Sequence, residues 1–330
     1  MIRKSMLTAL LAQEIASRGP ISFREFQETA LYHPQHGYYR REQNPFGVRG
    51  DFYTAEQLQP VFGLLMARAM DQLLARIAPT GPFSVVELGA GREEMRPYLQ
   101  QWNYHAVESG RGELPSRIRG VVFGNEFLDA LPIHTARKRG SLFHEVMVGY
   151  NEVEFRFVEG GAVDGDLGNY LSKHAAHVPD GTLVEAHLDA IHWLDKLDKS
   201  FEAGFLLFID YGFTERERVR FPNGTLMSYS RHQADEDVLK TPGGRDITSH
   251  VPFTIIIEEA KQRGFQLELL QTLAQLLLNV GEKDHFHEVL EGKSELEVLR
   301  RRGQLKTLLY GMGETFRVLL FSRGLEEPSK

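Results

Sequence analysis

The stretch Phe83-Ser84-Val85-Val86-Glu87-Leu88-Gly89-Ala90-Gly91, followed at once by Arg92-Glu93-Glu94, constrains this chain most. A short apolar run that ends in glycines and then turns helix-like is how a parallel strand delivers a backbone loop to a nucleotide-like ligand. Gly89 and Gly91 let the main chain approach such a ligand without a Cβ in the way. The next apolar run, His105-Ala106-Val107, ends in Glu108, an acid placed to accept hydrogen bonds from two ribose hydroxyls. Together they point to an adenosine-containing cofactor. Taken singly, the glycines also fit a plain strand-to-helix turn and Glu108 a turn cap. The full three-glycine dinucleotide spacing is absent, which disfavours a redox cofactor.

Short buried strands at Ser84–Leu88, Tyr104–Val107 and Gly120–Gly124 alternate with helical patterns, and Gly204 to Asp210 reads as a central strand apolar on both faces. That alternation predicts an α/β fold with a parallel, doubly wound sheet. Residues 1–80 read as a helical extension packing on the core, and residues 81–330 as the main domain. Leu7, Leu10, Leu11 and Ile15 recur at helical spacing, so the first segment reads as an amphipathic helix rather than a signal peptide. Val61, Phe62, Leu65, Ala69, Leu73 and Ile77 predict one long helix from Thr54 to Ile77. Residues 134–158 interrupt the α/β pattern with a hairpin that turns near Tyr150-Asn151, as a lid or substrate-side wall would. Residues 211–252 read as loop, followed by a helix at 254–263, a strand at 265–270, a helix at 295–309 and a last strand from Arg317 to Phe321.

A formal charge of -7 argues against a general nucleic-acid or anionic-membrane binder. The local cluster Arg300-Arg301-Arg302 reads as a solvated helix end. No segment approaches the length of a membrane span. The chain has no cysteine, which excludes disulfides, thiolate metal sites and a cysteine nucleophile, and fits a reducing, cytoplasmic setting. His285 and His287, beside Asp284, diverge in a helix, so no metal is expected there. No nucleophile elbow and no GxxxxGK phosphate loop occur.

Two further loops follow apolar strands. Asn125, Glu126 and Asp129 come after Val121-Val122-Phe123, where open α/β sheets bind ligands. Asn125 is able to donate to and accept from an adenine edge or a substrate polar group. Glu126 is suited to orient a cationic substrate, with helix capping as the alternative for the whole motif. Asp210-Tyr211-Gly212 ends the most hydrophobic strand. Gly50 to Thr54 and Gly243 to Val251 are glycine-bounded polar loops of the kind that folds over a ligand. Within the second, Asp246 and His250 lie four apart. On a helix they would stack as an acid/base pair; a structural histidine is the alternative.

Read in order, these motifs resemble the MidA-type family of class I S-adenosylmethionine-dependent methyltransferases, over nearly the whole chain. The resemblance rests on Leu31-Tyr32-His33-Pro34 with Gly37-Tyr38-Tyr39, Gly50 to Thr54, Glu87 to Arg92, Val107-Glu108-Ser109, Asn125 to Pro132, Asp210-Tyr211-Gly212, Gly224-Thr225-Leu226, His232 and Asp246 to Val251. It implies a Rossmann-like methyltransferase sheet of seven strands with added helices and a substrate-side β insertion. It implies S-adenosylmethionine as cofactor, held by Glu87, Gly89, Ala90, Gly91, Glu108 and Asn125, with Asp51 and Thr54 closing over the site. Glu126 and Asp129 would form an acidic clamp on a guanidinium, and His250 would be a further catalytic group. The implied acceptor is a protein side chain, with arginine as the lead, or a small molecule; a homo-oligomer is compatible with this reading.

Two departures stand out. The segment between Gly91 and Asn125 is short, so the expected sheet has a trimmed edge strand. Glu93 replaces a glycine of the family pattern, where it would compete with the cofactor's carboxylate for backbone N–H groups. Two function classes follow: a methyltransferase, or a non-catalytic assembly protein on the same fold with a weakened cofactor site.

Overall fold

The computed structural model describes residues 6–41, 54–77, 82–230 and 233–325. Asp51 and His232 therefore lie outside the described residues. The chain forms two compact units, one built from Met1–Tyr53, Asp129–His192 and Phe213–Ile255, the other from Thr54–Leu128, Trp193–Gly212 and Ile256–Lys330.

The second unit carries a six-stranded sheet of β1 (Ser84–Leu88), β2 (Asn103–Val107), β3 (Ile118–Asn125), β4 (Phe201–Asp210), β5 (Gln266–Thr272) and β6 (Arg317–Arg323), in the spatial order β5-β6-β4-β3-β1-β2. The pairs β1–β2, β1–β3 and β3–β4 are parallel. The β6 strand runs antiparallel to both β4 and β5, so β5 at the edge runs in the same direction as β1 to β4, and β6, inserted between β5 and β4, is the one reversed strand of this sheet. Mixed sheets are common among large α/β sheets. At the other edge the sheet stops at β2. The short span from Glu108 to Ile118 holds no helix and no further strand, as the missing length predicts.

Strand β1 is buried along its whole length, and its Val85 joins a core with Phe62, Leu65, Phe205 and Leu277. Helix Val61–Leu74 covers this core, with Phe62, Leu65, Ala69 and Leu73 on its buried side. It is shorter than the periodicity predicts. Pro60 lacks an N–H and disfavours helical backbone at the residue before it, so the helix starts after it. Ala55–Gln57 forms a separate 3-10 turn. Arg301 lies inside helix Glu295–Lys306 rather than at its end, paired with Glu297 one turn back at 2.6 Å.

The first unit is antiparallel. Strands Leu142–Tyr150 and Phe155–Ala162 form the expected hairpin, and Leu142–Tyr150 also pairs with Ile21–Ser22 and with His134–Arg139, which in turn pairs with Leu183–Ala186. Helix Phe23–Tyr32 opens on a capping box between Ser22 and Glu25. The stretch read as loop holds a three-stranded sheet: Met227–Ser230 lies between Gln233–Asp235 and Asp246–Thr248.

Candidate active site

In the second unit, four loops gather at the carboxyl ends of β1 to β4. After Leu88 the chain turns through Gly89 (φ 70°) and Gly91 (φ 49°), backbone that L side chains rarely adopt. A Cβ at Gly89 would stand 3.0 Å from the Phe127 ring. The N–H groups of Gly89 and Ala90 both donate to the carbonyl of Val107, at 2.9 and 3.3 Å, which ties the loop to the end of β2. There the Glu108 carboxylate accepts the N–H of Gly91 at 2.9 Å and that of Ser109 at 2.7 Å. A carboxylate has about four acceptor positions. Two remain for the two hydroxyls of a ribose.

Glu93, the residue expected to obstruct this loop, is itself bound. Its carboxylate pairs with Arg96 and lies 3.5 Å from Arg111, whose guanidinium also donates to the Gly91 carbonyl at 2.7 Å. No long helix starts there: the helical backbone runs only over Arg96–Leu99.

Beneath the loop the site is acidic. Glu87 is buried at the end of β1; Tyr104 donates to its Oε2, and its Oε1 has no partner among the described residues. Burial pushes its pKa up to about 8, against the Tyr104 hydrogen bond and with the charges of Glu94 and Glu93 adding to the shift. Glu56, in the turn after Thr54, is likewise raised well above the usual range, first by burial and then by Glu87, Glu94, Glu126 and Glu108. Such a cluster is best relieved by a cation. The orphaned Glu87 oxygen, the open acceptor positions of Glu108 and the Cβ-free loop fit S-adenosylmethionine, which carries a sulfonium and an ammonium.

Glu126 follows β3 with φ 52°, a left-handed backbone for a residue with a side chain. Its N–H donates to Ile209 at the end of β4, and its Oε1 accepts from Ala55 N and Asn125 Nδ2, each at 3.3 Å. Thr54 and the turn behind it are thus joined to the loop after β3. Asn125 is buried with Oδ1 unpartnered among the described residues. Asp210, fully buried, accepts the N–H of Leu128 at 3.4 Å.

Asp129 and His250 belong to the first unit. Asp129 is buried, and its carbonyl accepts the N–H of Ser249 at 3.3 Å. The expected helical stacking of Asp246 and His250 does not form, because Asp246–Thr248 is a strand and the chain turns after it. Asp246 instead accepts from Tyr39 Oη at 2.8 Å, while the His250 N–H donates to Thr225 Oγ1 at 2.8 Å and its ring meets Phe221 edge-on. Burial lowers the His250 pKa. Nearby His187 is lowered to about 3, by burial first and then by Arg218 and His250. Sequence reasoning missed Glu56 and Tyr104 as site residues, because nothing in their local pattern separates them from helix or strand residues, and Tyr39 entered only as part of the Gly37-Tyr38-Tyr39 motif without a role.

A family described as "Putative S-adenosyl-L-methionine-dependent methyltransferase" matches residues 94–271. The chain is 25% identical over 325 residues to the Caenorhabditis elegans protein arginine methyltransferase NDUFAF7 homolog, mitochondrial, covering 78% of this chain and 72% of that one. It is 34% identical over 307 residues to mitochondrial protein arginine methyltransferase NDUFAF7 of Mus musculus, covering 74% and 67%. Its fold matches the crystal structure of a superfamily member from Burkholderia thailandensis bound to S-adenosyl-homocysteine, with a TM-score of 0.82, 30% identity, and 97% and 92% of the two chains covered.

Proposed function

The chain belongs to this family of S-adenosyl-L-methionine-dependent methyltransferases, and we propose that it methylates a guanidinium nitrogen of arginine in a protein substrate. The observation that carries the donor half is the Glu108 carboxylate fixed by the glycine loop with acceptor capacity to spare. The acceptor half is supported by the relatives in worm and mouse, both named protein arginine methyltransferases.

The bound cofactor supplies an electrophilic methyl group on a positively charged sulfur. The protein has to align a nitrogen with it and exclude water. Gly89 to Gly91 offer main chain instead of side chains, and Glu108 orients the ribose. Glu87 and Glu56, held protonated by burial, are acids whose ionised forms a bound cation would favour. Glu126, held by Ala55 and Asn125, accepts an N–H of the guanidinium and takes the proton that the nitrogen loses as its bond to the methyl group forms. The strained backbone at Glu126 is consistent with a working group held in place by its surroundings.

The test is the product. The protein is incubated with methyl-labelled S-adenosylmethionine and a peptide of Gly-Arg-Gly repeats, and the peptide is hydrolysed to amino acids. The proposal predicts label in methylarginine. Label in another residue, or none in a protein that binds the cofactor, overturns the arginine assignment.

A further inference from the structure

A parallel strand is ordinarily followed by a crossover helix that packs against the sheet. After β2 a tight turn stands in its place. Glu108 and Arg111 exchange both backbone hydrogen bonds, at 2.8 and 2.9 Å, so the chain reverses through Ser109 and Gly110. Gly112, at φ 75°, lets the returning chain lie against β2: a Cβ there would stand 2.1 Å from the Ala106 carbonyl oxygen. This reversal brings the Arg111 side chain back to the glycine loop, where its Nη2 donates to the Gly91 carbonyl at 2.7 Å.

Gly91 is thereby gripped from both sides, its N–H by Glu108 and its carbonyl by Arg111. The same Arg111 nitrogen lies 3.5 Å from Glu93 Oε1. Glu93 Oε2 pairs with Arg96, whose guanidinium sits 4.9 Å from the centre of the Tyr104 ring. Tyr104 in turn donates to Glu87 at the end of β1. A continuous run of contacts from Gly91 through Arg111, Glu93, Arg96 and Tyr104 to Glu87 ties the loop to both strands that present it. All of these residues belong to the second unit. Glu93 is the joint, and it stands at φ 62°, a left-handed backbone that costs a side-chain-bearing residue energy and is kept only where its surroundings hold it.

We propose that Glu93 and Arg111 are positioning residues for the cofactor site. Through them the turn after β2 holds the glycine loop, and with it the Glu108 carboxylate, in the conformation that receives a ribose. The proposal concerns the methyl donor and is independent of the identity of the acceptor. A loop already in its binding conformation binds more tightly, because no share of the population is lost to conformations that cannot bind. Both arginines are about half exposed, so each pair contributes only a small factor.

The test compares S-adenosyl-homocysteine with adenosine, which keeps the ribose and lacks the carboxylate, by NMR titration of the full chain. Glu93→Gly is expected to weaken both ligands by the same factor, about threefold or more. Arg111→Gln is expected to weaken both about fivefold. In the double variant the loss should fall short of the product of the two, since both changes break one shared contact. The melting temperature of Glu93→Gly should not fall, because glycine relieves φ 62°. A residue that served the fold alone would lower the melting temperature and leave affinity as it was. If Glu93 competed with the cofactor's carboxylate for the N–H groups of the loop, Glu93→Gly would tighten S-adenosyl-homocysteine and leave adenosine unchanged. That result, unchanged affinity for S-adenosyl-homocysteine in either variant, a loss confined to S-adenosyl-homocysteine, or losses that multiply in full overturns the proposal. A native protein that binds no S-adenosyl-homocysteine overturns the cofactor site itself, which the native titration reads before any variant is compared.

Discussion

Glu108 accepts the backbone N–H of Gly91 at 2.9 Å, so the acid at the end of one strand and the glycine loop at the end of its neighbour form one rigid feature. The loop orients the carboxylate and the carboxylate holds the loop. Glu108→Gln replaces a charged acceptor by a half-donor amide. We expect S-adenosyl-homocysteine to bind about 10- to 100-fold more weakly, the range for hydrogen bonds to a charged group. Calorimetric titration measures it, and circular dichroism checks that the fold is kept.

Gly89→Ala separates backbone from side chain in the same loop. At φ 70° a Cβ costs about 1–2 kcal/mol, and the Phe127 ring 3.0 Å away must also move. The melting temperature should fall by about 2 °C or more. Cofactor binding should weaken as well, because the loop cannot keep its path.

Glu87 makes stability depend on pH in an unusual direction. Its folded pKa is about 8, against 4.5 for the free side chain. Between these values the native protein holds a proton that the unfolded chain has released, so stability falls as pH rises through this window. Glu87→Gln keeps an acceptor for Tyr104 and removes the titration. The variant should gain in melting temperature relative to the native protein between pH 5 and pH 8, by about 2 °C or more. A constant difference between the two proteins would contradict the buried-acid assignment.

Glu126 combines strain with a proposed proton-accepting role. Glu126→Gln should lower the methyl-transfer rate by about 100-fold or more, the usual size of a general-base contribution, with S-adenosyl-homocysteine affinity nearly unchanged. Glu126→Gly should be equally inactive and yet no less stable, since glycine tolerates φ 52°. Single-turnover rates and thermal melts read the two effects separately.

What was legible in the sequence follows the strength of local signals. The β1 strand is buried along its length and β4 is largely apolar on both faces, and such runs read the same alone as in the fold. The trimmed edge was legible because a strand and its crossover need a minimum length. The three-stranded sheet within residues 211–252 was not, because its strands are three or four residues long and set among turns. The helical reading of Asp246 and His250 failed for the same reason: spacing of four has meaning only on a helix.

Within the site, Glu108 and the glycines were legible as a strand-end pattern. The bound state of Glu93 was not, because the i,i+3 spacing to Arg96 forecasts contact only on a helix, and Arg111 reaches Glu93 only through the fold. Glu56 was read as part of a long helix. Its place among Glu87, Glu94, Glu108 and Glu126 depends on how a turn folds back onto the sheet, which only tertiary structure records.

The central claim, that the glycine loop and Glu108 hold a nucleoside cofactor despite the acid at position 93, is tested most directly by titrating the native protein with S-adenosyl-homocysteine in a calorimeter. The account predicts saturable binding of one molecule per chain, lost in Glu108→Ala. An absence of heat at millimolar ligand, from protein shown to be folded, would contradict it.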